Sequence, residues 1–210
     1  MELILVAATD GLAAAWRSIA GEFDWVTVHQ GDILDLDCDA VVSPANSFGF
    51  MDGGIDAYYT DYFGPGVQHD LRRAILERHH GELLVGRAEL VATGHERISY
   101  LIAAPTMRVP MVLPGDTINP YLAARAVLNL VLHGVHADGP NAGDPIRDNI
   151  AVVAMPGLGT GVGRVPDARC ARQVRAAIAV AISRPSLPQS WADASWDHQL
   201  LYTDNPKRLQ

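Results

Sequence analysis

The sequence predicts a single α/β unit, a three-layer α/β/α fold with a mixed, mostly parallel central sheet. Strand and helix signals alternate from the start of the chain, which is the pattern of a sheet covered by helices on both faces. Several strand segments are short, unbroken apolar runs, such as Ala40–Ser43 and the run from Ile150 to Met155. The chain has 210 residues, 49% of them hydrophobic, enough for one full core and short for two.

Taken in order, residues 3–8 read as a buried strand, and Asp10 is placed to cap a helix over 13–19 that Gly21 stops. Residues 25–29 form a second strand and 40–43 a third, ended by Pro44. A glycine-rich stretch from Asn46 to Gly54 leads into a helix from Ile55. Pro65 suits the first turn of a helix running to about His80, with Val67, Leu71, Ile75 and Leu76 at helical spacing. Residues 89–93 and 100–103 read as strands. Thr117 or Asn119 can cap a helix over 121–133, residues 149–155 form the last strand, and 168–183 the last strong helix. Residues 137–145 read as a surface loop. The domain is expected over 1–184, with 185–210 a C-terminal tail whose Trp191, Trp196, His198, Leu200 and Leu201 pack on it.

The net charge is −8, which disfavours broad electrostatic binding of nucleic acid. An anionic ligand must therefore be held locally, by backbone N–H groups and helix termini. Lys207 is the only lysine, which excludes a Walker A loop and, unless the tail folds back into a site, a Schiff-base lysine. Cys38 and Cys170 suggest two buried free thiols in a reducing compartment rather than a disulfide framework. The segment from Met1 to Ala8 lacks a basic flank and reads as a strand, not a signal peptide. No apolar run approaches the ~20 residues that span a bilayer. The expectation is a soluble cytoplasmic monomer without membrane contact.

Two glycine-rich segments follow predicted strands, and in an open α/β sheet ligands bind beyond the carboxyl ends of strands. Gly53 and Gly54 precede a helix, so free amides there can meet a phosphate at the positive end of its dipole. Gly157, Gly159, Gly161 and Gly163 alternate, letting the backbone turn N–H groups toward an anion. Neither loop fits the dinucleotide pattern G-x-G-x-x-G, because Arg164 stands where that register needs glycine.

Together these segments resemble macrodomains. Gly31-Asp32-Ile33, the strand ending Ser43-Pro44-Ala45-Asn46 and the run Gly53-Gly54-Ile55-Asp56 look like that family's opening signature, and Gly157 to Val162 is similar to its later S-T-G-[IV] loop. The resemblance implies ADP-ribose as ligand, with Asp32 and the Ile33 amide at the adenine and Asn46 at the distal ribose. It implies that Gly53, Gly54 and Ile55 line one side of the diphosphate and Gly159, Thr160, Gly161 and Val162 close over the other. Ala45, Gly157 and Gly163 complete the implied ligand contacts. Without it, Asp32 is equally a turn carboxylate and Asn46 a loop asparagine.

Asp56 follows Asn46 by ten residues, the spacing of hydrolytic members of the MacroD type. A carboxylate there can orient or deprotonate a water and stabilise oxocarbenium charge. As a first-turn helix residue it is also simply favourable. The chain departs from the pattern at Ser43 and Pro44, at Met51-Asp52 in place of two glycines, and at Gly163 in place of an aromatic, which is expected to open the site. Asp52 is a solvated loop charge or a second acid/base. Arg108, just after a strand, is a surface arginine or a partner for an anionic group. His79-His80 and His133 with His136 read as solvated helix ends, not metal ligands, and Ser43 lacks a local partner that marks a nucleophile.

The implied function is removal of ADP-ribose from a modified macromolecule, ester links to Asp or Glu first, without metal or cofactor. The alternatives are a non-catalytic ADP-ribose reader, a deacetylase of O-acetyl-ADP-ribose and, disfavoured by the acidic net charge, removal of a base-linked ADP-ribose from nucleic acid.

Overall fold

The computed structural model describes residues 1–44 and 46–207. Six strands form one sheet: β1 (Glu2–Ala7), β2 (Val26–Gln30), β3 (Ala40–Ser43), β4 (Glu89–Ala92), β5 (Tyr100–Ala103) and β6 (Val152–Met155). Their order is β2-β1-β6-β3-β5-β4, parallel throughout except for β4, which pairs antiparallel with β5 at the edge.

Side chains alternate across a strand, so each apolar strand feeds two cores. Leu3, Leu5, Val42, Ile102, Val153 and Met155 face one side, packed against α1 (Asp10–Ala20), α4 (Asn119–His133) and α5 (Asp167–Ile182). Val6, Val41, Leu101 and Ala154 face the other, under α2 (Gly54–Phe63) and α3 (Gly66–His79). Helices on both faces make the three layers. A tail helix, α6 (Trp191–Leu200), follows.

The chain steps from β1 to β2 on one side and reaches β6 and β3 on the other. Beside β1 the strand order therefore reverses, and a crevice opens beyond the carboxyl ends of β1, β3 and β6. Trp16 of α1 locks this region from beneath, its buried Nε1 donating to the Val6 carbonyl at 3.1 Å.

Several local expectations are corrected. Thr9, not Asp10, caps α1, accepting from the Leu12 amide at 3.3 Å, while Asp10 accepts from Gln30. Thr117 accepts from the Asn119 amide, and the Asn119 side chain instead donates to the Thr106 carbonyl at 2.7 Å. β6 starts at Val152, because the Asp39 carboxylate takes the Ala151 and Val152 amides, both at 2.8 Å. Leu76 is exposed although its spacing suggested core. His79 is not solvated but bonds Glu89 at 2.8 Å, and His136 is buried against Tyr100. In the tail Leu201 is buried and Asp204 pairs with Arg172 of α5 at 2.7 Å, whereas Trp191, Trp196 and Leu200 are exposed. Cys38 and Cys170 are buried and free. No described helix is long and apolar enough to cross a membrane.

Candidate functional site

The turn after β2 forms one wall. Asp32 opens a 3-10 turn over Ile33–Asp35, its Oδ1 accepting from the Leu34 amide at 2.9 Å, and its Oδ2 accepts from the Tyr58 hydroxyl. Ile33 is buried behind it.

The chain after β3 forms the floor and a second wall. Asn46 is only 8% exposed, and its side chain holds its own loop. Oδ1 accepts from the Phe48 and Phe50 amides at 3.1 and 3.3 Å, and Nδ2 donates to the Phe50 carbonyl at 2.8 Å. Gly53 is the N-cap of α2 with no side chain to satisfy the first-turn amides, and Gly54 has φ +59, a left-handed value that costs any side chain about 1–2 kcal/mol. Among the described residues the first-turn N–H groups of α2 meet no side-chain cap, the arrangement that lets a helix N-terminus take an anion.

Asp56 sits in that first turn, 7% exposed, with Oδ1 accepting from Ser43 Oγ at 2.5 Å. Burial pushes its carboxyl up to about 6, and the Ser43 hydrogen bond works against that rise. Among the described residues Oδ2 accepts no hydrogen bond. An ionised carboxylate near neutrality with one free oxygen suits a base.

The loop after β6 forms the opposite wall. A Cβ on Gly157 would lie 2.4 Å from Thr160 Oγ1, and Gly159 has φ +68. A Cβ on Gly163 would lie 2.5 Å from the Gly159 carbonyl oxygen. The Leu113 amide donates to the Gly163 carbonyl at 2.9 Å, and Leu113 packs where the missing side chain would start. In this loop conformation the Gly159 backbone bars any side chain at Gly163.

These walls enclose one cleft of about 650 Å3, within the usual range for small-molecule sites. Asp32, Ile33, Asn46, Gly53, Gly54, Ile55, Asp56, Gly157, Gly159, Thr160, Gly161, Val162 and Gly163 all line it; Ala45 lies outside the described residues. Its charged lining residues are the three carboxylates Asp32, Asp52 and Asp56, so backbone amides and the α2 dipole must carry any affinity for phosphate. Asp52 is exposed at the rim. Arg108 does not line the cleft; it pairs with Glu82 at 2.8 Å and lies 5.0 Å from the Phe48 ring centroid.

Four lining or supporting residues that shape the site escaped the sequence. Ser43 bonds Asp56 from thirteen residues away, a juxtaposition no local pattern reports. Tyr58 shares the cleft face of α2 with Ile55, three residues earlier, which helical spacing does signal. Thr106 and Met107 enter because Thr106 Oγ1 donates to the Pro44 carbonyl and Met107 bridges Asn46.

A glycine-walled crevice at the switch point of a mostly parallel sheet, with the N-terminus of α2 and a buried carboxylate on one wall, marks a candidate ligand site in an α/β domain. Comparison with known proteins names the family. The Macro domain family model matches residues 42–174, and the chain belongs to that family. An uncharacterised protein of Aquifex aeolicus is 33% identical over 147 residues, covering 70% of this chain and 76% of its own. The fold is similar to the macrodomain of Mycobacterium tuberculosis DarG, with TM-score 0.54, 22% identity and coverage of 73% and 86% of the two chains. It is likewise similar to a mutant of the Oceanobacillus iheyensis macrodomain solved with ADPR, at TM-score 0.56, 17% identity and coverage of 70% and 73%.

Proposed function

We propose that the cleft binds ADP-ribose and that Asp56 drives hydrolysis of an ester joining ADP-ribose to an Asp or Glu side chain. The observation that carries this reading is the meeting of two glycine loops across one cleft, with Asn46 and Asp56 on the same wall. The Gly53–Ile55 amides and the Gly159–Val162 turn hold the diphosphate between them, and Asp32 with the Ile33 amide meets the adenine. Asn46, whose Nδ2 has one hydrogen beyond its bond to Phe50, meets the distal ribose.

Asp56 Oδ2 takes a proton from a water as the water oxygen bonds to the anomeric carbon. The bond from that carbon to the acceptor oxygen breaks, and its electron pair leaves on the acceptor carboxylate. A carboxylate is a good leaving group and needs no general acid, which matches a site with one buried carboxyl. Met51 and Asp52 shorten the glycine run, Met51 buried in the core and Asp52 at the rim of the cleft. The binding unit is residues 1–184, and the described part of the tail, 185–207, is anchored through Leu201 and the Arg172–Asp204 pair. Burial pushes the Cys38 and Cys170 thiols up to about 11 and 12, which leaves them unreactive near neutrality; it is the pair of free cysteines that supports a reducing, cytoplasmic setting.

Turnover of a peptide ADP-ribosylated on glutamate tests the reading. Wild type releases ADP-ribose and Asp56→Ala does not, although both bind it; equal turnover by the two proteins overturns the role of Asp56, and binding without turnover by wild type makes the domain a reader.

A further inference from the structure

Phe50 belongs to two concavities. Its inner side lines the ADP-ribose cleft, and its outer side lines a second groove of about 530 Å3 between the Phe48–Phe50 loop and α3. Asn46 clasps both the amide and the carbonyl of Phe50, so the two concavities meet at the Asn46 end of the cleft. On the reading above, that is where the acceptor chain leaves the distal ribose.

The groove differs from the rest of the surface in charge. The chain carries −8 overall, yet His69, Arg72 and Arg73 line this groove. Arg73 is spent on Asp70 at 3.1 Å, and His69 also faces Asp70. Arg108, over the Phe48 ring, is spent on Glu82. Arg72 has no carboxylate partner among the described residues. Its guanidinium lies 4.3 Å from the Phe50 ring centroid, and Nη1 donates to the Phe48 carbonyl at 3.2 Å. Cation–π contact and this one bond fix the fork in place, while Nε and Nη2 have no acceptor among the described residues. The rest of the lining includes the apolar Ile75 and Leu76, the latter 67% exposed, and Phe50 is itself 47% exposed.

We propose that this groove receives the acidic peptide segment flanking the ADP-ribosylated side chain, with Arg72 pairing a carboxylate of that segment. The proposal rests on the cleft holding ADP-ribose. A single held guanidinium above apolar side chains fits a short acidic peptide, whereas a nucleic-acid strand needs a run of cations that an acidic chain does not offer.

The test compares calorimetric affinity for free ADP-ribose with that for ADP-ribose attached through a stable amide to a glutamate-rich decapeptide, a lysine-rich decapeptide or an oligonucleotide. Wild type should bind the glutamate-rich conjugate about three- to tenfold more tightly than free ADP-ribose, with the gain falling at high salt. Arg72→Glu should lose that gain and acquire one for the lysine-rich conjugate, each gain being taken relative to the same variant's affinity for free ADP-ribose. An equal gain for wild type and Arg72→Glu with the glutamate-rich conjugate overturns the groove alone, as does a larger gain from the oligonucleotide. Failure of free ADP-ribose to bind overturns the reading of the cleft, and the groove with it.

Discussion

Ser43 Oγ and Asp56 Oδ1 lie 2.5 Å apart at the cleft floor, joining the end of β3 to the first turn of α2. Ser43 is fully buried and does not line the cleft, so it acts on a substrate only through Asp56. Its hydrogen bond stabilises the ionised carboxylate against burial.

A pH–rate profile should therefore show an acid limb. Hydrolysis needs ionised Asp56, so kcat/KM falls about tenfold per pH unit below a midpoint near 6 and levels off above about 7. Ser43→Ala removes the one favourable bond and moves the midpoint upward. A midpoint unmoved by this substitution contradicts the pairing.

The same carboxyl links stability to pH. Folding raises it from the ordinary 3.8 to about 6, so between those values the native state holds a proton the unfolded chain has released. This contribution is complete below about pH 4 and is lost as pH rises through 6. Asp56→Asn keeps an acceptor for Ser43 without the buried charge. Its stability relative to wild type should grow by up to about 3 kcal/mol between pH 4 and pH 8 in urea unfolding. A constant difference between the two proteins speaks against a raised carboxyl.

The glycines of the second loop should separate sharply. Gly163→Ala drives a Cβ against a backbone carbonyl, so the loop must shift; ADP-ribose affinity should fall by about tenfold or more. A Cβ on Gly161 would meet nothing within 4 Å, and its φ is not positive, so Gly161→Ala should bind within about twofold of wild type. Equal affinities for the two variants would contradict a wall built on close backbone approach.

Asn46→Ala removes three hydrogen bonds that shape the loop from Asn46 to Phe50. It should lower thermal stability by an amount corresponding to about 1–3 kcal/mol and weaken ADP-ribose binding. Binding weakened with stability unchanged would assign Asn46 to the ligand alone.

Much of the fold was legible because it rests on local signals. Pro44 ends β3, Pro65 precedes α3, and alternating apolar residues mark strands that feed both cores. The cleft lining followed from glycines after strands, since a parallel sheet brings its strand ends to one side. What escaped depends on long-range placement. Ser43 meets Asp56 only through packing of α2 on β3, and Arg108 turns to Glu82 because the chain after β5 crosses the loop after α3. Gly163 follows the same rule: what bars a side chain there is the Gly159 carbonyl and the Leu113 side chain, a crowding that no local pattern reports.

Calorimetric titration of wild type with ADP-ribose, beside ATP and NAD, bears most directly on whether the two glycine loops grip a diphosphate joined to a second ribose. ADP-ribose should bind with the highest affinity of the three, at one site per chain. A preference for NAD, or no heat with ADP-ribose at all, would contradict the account.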